Sequence, residues 1–328
     1  MLKVDNMNLK TIYASLRADL STIEDEMERS VHTEQSVLLH TSQQLLRAGG
    51  KRLRPVFVLL AGKFGQYDFN KIKEVAIALE LIHTASLVHD DVIDDADTRR
   101  GKPTIKAKWN NQTAMYTGDY ILSQAIDRIT EIRSHKVHDI LSKTLKELII
   151  GEIEQIRDQY NWEQNLRQYL RRIKRKTALL IATSCRLGAL VSDVPYRYQK
   201  HLERFGYYVG MSFQITDDIL DFESTNKILG KPSGGDLKQG NVTLPTLYAM
   251  AFPEIKEKIV TSFQNNSITE ESLQSILQLI RSSGAIEKAT NLSNLYLKKA
   301  EKELLQLPSC SAQESLLEIA SSIGKRKY

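Results

Sequence analysis

Cysteine is nearly missing from this sequence. Cys185 and Cys310 are the only two in 328 residues, and neither sits in a CxxC or other metal-ligand spacing. That argues against a disulfide framework and fits a reduced thiol pair in a cytoplasmic setting. Proline is scarce too, with seven residues, so long helices meet few interruptions. No apolar run approaches the roughly 20 residues of a membrane span. The start, MLKVDNMNLK, lacks the apolar core of a signal peptide. A cytoplasmic protein is expected, although lying against a membrane takes only a surface patch. Charge bias is also lacking: 45 basic against 40 acidic side chains leave a formal net charge of +5. Bulk charge therefore selects no class of partner. Convincing period-two alternation, the mark of strands, is absent as well.

Helical periodicity fills most of what is there. NLKTIYASLRADLSTIEDEMERSV repeats apolar residues at three and four, and TEQSVLLHTSQQLLRAGG does so before stopping on two glycines. NKIKEVAIALELIHTASLVHDDVIDDA is apolar on most faces in its middle, as a helix buried in a bundle would be. Further helical segments cover roughly 113–134, 136–160, 163–191, 196–224, 243–264, 268–283 and 284–304. No linker-like composition divides the chain. The expected architecture is one all-α domain over 1–328, with the N-terminal stretch to about residue 25 peripheral. The most loop-like stretch, LGKPSGGDLKQGNVTLP at 229–245, is long for a compact fold and reads as functional.

Chemistry concentrates in LVHDDVIDDADTRRGKPT, where Asp90, Asp91, Asp94, Asp95 and Asp97 fall within eight positions. On a helix Asp90 and Asp94 stack one turn apart, an arrangement that destabilises a bare helix. A cation is the simplest remedy, and carboxylate oxygens suit a hard ion such as Mg²⁺, which also takes phosphate oxygens and water. The same DDxxD spacing recurs in FQITDDILDFES as Asp217, Asp218 and Asp221. Both clusters close apolar helices, where the helix dipole adds to the negative potential. One such cluster reads equally well as a solvated helix end. Two copies argue for a diphosphate clamp through several ions. His89, on an apolar face, reads as a satisfied core residue, and KRLR alone reads as a solvated basic turn.

DDVID followed by TRRG, then FQITDDILDF and GKPSGGDL, with GGKRLRP near the start, resembles the trans-polyprenyl diphosphate synthase family from about residue 30 to the end. More narrowly, RIKRKTALLIATSC, GGDLKQGNVTLP and the terminal IGKRKY resemble the catalytic, larger component of two-component bacterial heptaprenyl diphosphate synthases. The family implies an all-α isoprenoid-synthase bundle around a central cavity, with the two aspartate motifs facing each other across its mouth. It implies Mg²⁺, three ions with diphosphate bound, on Asp90, Asp91, Asp94, Asp217, Asp218 and Asp221. Asp95 would stand outside the ligand set. Arg99, Lys176 and Lys231 would bind the allylic diphosphate, with Thr177 and Gln214 near the reacting centre. Lys51, Arg54, Arg100 and His83 would bind isopentenyl diphosphate, the arginines through their planar forks. Many relatives carry lysine where this chain has Asn241, an amide without charge.

The implied reaction is ionisation of an allylic diphosphate such as farnesyl diphosphate, condensation with isopentenyl diphosphate, and proton loss to the released diphosphate. The implied product is a long all-trans polyprenyl diphosphate, heptaprenyl on the narrower resemblance, for a menaquinone side chain. Ala85 and Ser86 lie five and four positions before Asp90, about one turn or 5.4 Å deeper. Small residues there, with Ile82 below, would leave a tunnel open for the growing chain; equally, small residues let helices pack closely. The narrower resemblance implies a small regulatory subunit as partner, against a homodimer that makes hexaprenyl, octaprenyl or geranylgeranyl chains. Peripheral membrane contact for product release fits either.

Three other readings compete. A type I terpene cyclase shares the first motif but normally lacks a second full DDxxD. A non-catalytic partner subunit tends to lose the aspartates kept here. RQYLRRIKRK carries six cations in ten positions, but they surround the helix without an aromatic platform, so no nucleic-acid partner is expected.

Overall fold

A computed structural model of the chain describes residues 5–99, 101–223, 233–263 and 267–325, nearly all of them helical. The chain divides into two compact units. The first comprises Met1–Ser142, Ala182–Glu203 and Gln306–Glu318, and the second Lys143–Ile181, Arg204–Leu305 and Ile319–Tyr328.

The first unit begins with α1 (Asp5–Ser15), α2 (Arg17–Ser30), α3 (Ser36–Arg47), α4 (Leu53–Gly62) and α5 (Phe69–Ile93). The first periodic run is thus two helices, broken at Leu16, and α4 arises in a stretch whose helical pattern the glycines and Pro55 obscure. Asp68 starts α5 by accepting a hydrogen bond from the Asn70 amide at 3.1 Å. From Val75 to Leu79 every side chain of α5 is fully buried, which explains its lack of a polar face. A two-residue hairpin, β1 (Thr98–Arg99) with β2 (Lys102–Pro103), follows, then α6 (Ile105–Lys108) and α7 (Asn111–Thr130). Strands that short carry no alternation to detect. Gly118 lets α7 approach α5: a Cβ there would fall 2.3 Å from His89 Nε2.

Arg52 locks the N-terminus of α4. It sits in the left-handed region at φ 46° and donates to Glu24 at 2.9 Å, Glu80 at 3.2 Å and the Leu46 carbonyl at 2.8 Å. The KRLR run therefore holds a structural cation between its candidate substrate ligands. Losing one partner of such a buried pair costs roughly 3–5 kcal/mol.

Helix α8 (His135–Asp158) leads into the second unit, where α9 (Leu166–Ile173) begins with a capping box. Asn165 accepts from the Gln168 amide at 3.1 Å, and Gln168 returns the bond to the Asn165 amide at 2.9 Å. Residues Lys174–Ala178 then wind as one wide π-turn, with the Leu179 amide donating to the Lys174 carbonyl five residues back, before α10 (Leu179–Val191). The expected helix over 163–191 therefore starts at Leu166 and is interrupted once, by this turn. Next come α11 (Tyr196–Glu223), α12 (Gly235–Lys238), α13 (Leu244–Ala249), α14 (Pro253–Ser262), α15 (Glu270–Ser282), α16 (Ala285–Leu304) and α17 (Ser311–Gly324). Pro253, which cannot continue a helix but can start one, splits the expected 243–264 segment. Helix α17 was outside the expected segments. Met211, Ile215 and Ile219 form one apolar stripe of α11, clustered with Tyr169 and Ile173. Among the described residues no helix is long and apolar enough to cross a membrane.

Candidate active site

In the first unit the acidic end of α5 is largely buried, with Asp90 8% and Asp91 4% exposed; Asp94 is half-buried. The β1–β2 hairpin, turning at Gly101 with φ 72°, carries Arg99 back so that its Nε donates to Asp91 Oδ1 at 2.7 Å. Asp95 adopts φ 50°, and its exposed carboxylate takes Lys106, which also reaches Asp97 at 3.2 Å. Asp95 is thus drawn away along the loop. Thr104 ties that loop down by donating to the Ala96 carbonyl at 2.8 Å. His89 Nε2 lies 3.2 Å from Asp119 Oδ1 but without hydrogen-bond alignment. Arg100 lies outside the described residues.

The candidate isopentenyl ligands flank the start of α4 and the middle of α5. Lys51 is exposed, while Arg54 and His83 are half-buried. The Arg54 Nε is buried and donates to no group among the described residues. Burial pushes this guanidinium down to about 10 while the Glu80 carboxylate opposes the change, so it stays cationic at neutral pH. An orphaned, charged donor is costly unless an anion meets it. Ile82 and Ala85 are buried at 3% and 2% exposure, and the half-buried Ser86 donates to the His83 carbonyl at 2.8 Å.

In the second unit Asp218, 3% exposed, is the hub of a relay. The Thr177 hydroxyl donates to Gln214 Oε1 at 2.6 Å, and Gln214 Nε2 donates to Asp218 Oδ1 at 2.8 Å. The Tyr169 hydroxyl donates to the other oxygen at 2.7 Å. Asp221 accepts from the Gly235 and Asp236 amides at 3.2 and 3.3 Å, whereas Asp217 is half-buried. Burial, then the nearby Asp236 carboxylate, pushes both Asp218 and Asp221 up to about 7, against the pull of these hydrogen bonds. Burial above all holds the Tyr169 phenol well above its usual value, and the Asp218 charge adds to it. Lys176, on the π-turn, donates to Glu152 at 3.3 Å and Gln155 at 3.1 Å. Gly151 permits this approach, since a Cβ there would come within 2.7 Å of the Arg175 Cβ. The Asn241 side chain donates to Gln239 Oε1 at 3.5 Å, and its backbone N–H donates to the Asp236 carbonyl at 2.9 Å. Lys231 lies outside the described residues.

Tyr169, Glu152 and Asp236 were not singled out by sequence. Tyr169 precedes Lys176 by seven residues, a two-turn spacing on a regular helix that the π-turn at Lys174–Ala178 breaks, so no local pattern marks it. Asp236 lay inside the quoted GGDL.

Among the described residues no three His, Cys, Asp or Glu side chains converge tightly enough to hold an ion unaided. The donor set fits Mg²⁺ all the same. It is all carboxylate, it includes a buried group at like-charge cost, and Mg²⁺ completes its shell with water and phosphate oxygens.

The chain matches the family model described as Polyprenyl synthetase over residues 35–280. It is 56% identical over 325 residues to the Bacillus subtilis (strain 168) heptaprenyl diphosphate synthase component 2, covering 99% of this chain and 93% of that one. Among solved structures it resembles a Staphylococcus aureus heptaprenyl diphosphate synthase, with TM-score 0.91 and 41% identity over 95% of this chain and 98% of that one. A Caulobacter crescentus CB15 polyprenyl synthase, complexed with calcium and isoprenyl diphosphate, matches with TM-score 0.93 and 29% identity over 98% of each chain. Motif order, helical fold and these likenesses agree: the chain belongs to the polyprenyl synthetase family.

Proposed function

We propose that this chain is a prenyltransferase that condenses isopentenyl diphosphate head-to-tail onto an allylic diphosphate, farnesyl diphosphate being the starter. Its product is a long all-trans polyprenyl diphosphate of heptaprenyl length, a menaquinone side-chain precursor. The chain acts as one polyprenyl synthase domain and as the larger, catalytic component beside a smaller regulatory subunit. One observation carries the reading: both DDxxD motifs are complete in a chain 56% identical to a heptaprenyl diphosphate synthase component 2. The calcium and isoprenyl diphosphate held by the Caulobacter relative support use of a divalent ion.

Asp90, Asp91 and Asp94, with Asp217, Asp218 and Asp221, would hold three Mg²⁺ ions around the allylic diphosphate. When bound, Mg²⁺ supplies Lewis-acid charge that stabilises the departing diphosphate. Arg99, Lys176 and Lys231 add fixed positive charge to the same group, an electrostatic contribution that needs no reorganisation during reaction. Lys51, Arg54, Arg100 and His83 hold isopentenyl diphosphate, and the orphaned Arg54 Nε supports an anion there. Thr177 and Gln214 line the reacting centre. The allylic cation is attacked by the isopentenyl double bond, and the proton leaves to the released diphosphate. Ala85, Ser86 and Ile82 leave room for chain growth.

The test is to incubate the purified chain with farnesyl diphosphate, isopentenyl diphosphate and Mg²⁺, alone and with the smaller component, and to size the products. Heptaprenyl diphosphate only from the pair is expected. Full-length product from the chain alone overturns the two-component reading, and turnover of farnesyl diphosphate without isopentenyl diphosphate indicates a cyclase.

A further inference from the structure

Asp218 has both oxygens engaged by protein donors, and each donor is itself held from behind. Gln214 cannot turn its amide over: Thr177 donates to its Oε1 at 2.6 Å, and a reversed amide would set oxygen against the Asp218 carboxylate. Tyr169 is 1% exposed and packs with Ile173, Ile215 and Ile219. The Arg172 guanidinium covers its ring at 5.8 Å. Arg172 in turn donates to Gln164 at 2.6 Å and to the Val242 carbonyl. The phenol therefore has one place to put its proton, 2.7 Å from Asp218 Oδ2.

We propose that Tyr169 is a positioning residue for the metal–diphosphate group, fixing the plane of the Asp218 carboxylate together with Gln214. The inference rests on the reading of Asp218 as part of the metal-binding set. A carboxylate has about four lone-pair sites, so two accepted hydrogen bonds orient it without exhausting it. Groups that orient metal-binding carboxylates in this way typically govern metal affinity by about 10- to 100-fold. A Tyr–Asp pair that merely satisfied two buried polar groups would affect stability alone.

Tyr169→Phe deletes only the hydroxyl. Calorimetric titration of the whole chain with inorganic pyrophosphate in Mg²⁺, beside melting temperature and the Mg²⁺ dependence of turnover by the chain paired with its smaller component, separates the two roles. The expected result is pyrophosphate binding weakened by about 10-fold or more, with turnover recovered at raised Mg²⁺. Tyr169→Met, flexible enough to refill the site, gives the same comparison if the Phe variant is too unstable to purify. Unchanged pyrophosphate affinity and Mg²⁺ dependence overturn the inference, whatever happens to the melting temperature. Asp90→Asn serves as reference. If the wild type binds and Asp90→Asn does not, a wild-type-like Tyr169→Phe overturns this inference alone. A wild type indifferent to Mg²⁺ and pyrophosphate overturns the functional reading with it.

Discussion

Arg99 reaches back across the hairpin to donate from Nε to Asp91 at 2.7 Å, so the first aspartate motif and the arginine behind it form one unit. Asp91 is 4% exposed, so the guanidinium that meets it takes the place of water around a buried charge. Arg99→Gln should therefore impair both metal use and allylic diphosphate binding. A hydrogen bond between charged groups is worth about 1.5–3 kcal/mol, so the KM for the allylic substrate should rise about 10-fold or more. The KM for isopentenyl diphosphate should move little. Steady-state kinetics at varied Mg²⁺ checks both, and equal changes in the two KM values would argue against the assignment.

Arg54→Gln should show the opposite selectivity. It removes a cation whose buried Nε meets no protein acceptor among the described residues. Isopentenyl diphosphate affinity should fall about 10-fold or more, on the same energetic scale. The allylic KM should stay near wild type. A variant with normal isopentenyl affinity would leave the orphaned donor without a ligand to explain it.

Ala85→Phe should shorten the product while condensation continues. Ala85 is 2% exposed on α5, and a ring there fills space about one turn below Asp90. Overpacking costs about 1–3 kcal/mol, so the melting temperature should drop as well. Chromatography of radiolabelled products reads the chain length. An unaltered product from a folded, active variant would assign Ala85 to close helix packing instead.

These residues differ in how far the sequence alone could reveal them. The DDxxD spacings, GGKRLRP and the periodic runs were legible because each is a local pattern. Helix α4 hid behind glycines and a proline, and the break at Leu16 carried no proline or glycine to announce it. The π-turn at Lys174–Ala178 depends on packing: α8 approaches it at Gly151, where no Cβ intervenes. Tyr169 and Asp218 are 49 residues apart, a contact no spacing rule encodes. Arg52 and Arg54 look alike in KRLR. Only the structure separates the one tied to Glu24 and Glu80 from the one with an unmet donor.

Glu26 on α2 should make the chain sensitive to acid. Lys73 donates to it at 2.5 Å and Arg128 at 3.2 Å. The Lys73 hydrogen bond, partly opposed by burial, holds its carboxyl below the ordinary value of 4.5. A depressed folded value means stability that is fully present above about 4.5 and lost as pH falls through the folded value. Glu26→Gln should lower the melting temperature at pH 7. With allowance for its partial exposure, the loss should be about 1 kcal/mol, or about 1–2 °C for a chain of this length. The difference between variant and wild type should shrink as pH drops below about 4.5. A gap that stays constant down to pH 3 would rule out the charge as its origin.

The π-turn also shapes how this enzyme can change. One extra residue is wound into Lys174–Ala178, so deleting a single residue there would restore ordinary helix. Five residues spread over the wider turn sweep about the same angle as four α-helical ones, so the flanking faces would keep their phase. Tyr169 and Ile173 on one side, and Leu180 and Ile181 on the other, all nearly buried, would still point into the core. A slip of one position would thus move Lys176 and Thr177 without unseating the fold. The wide turn lets the site vary in length as well as in residue type.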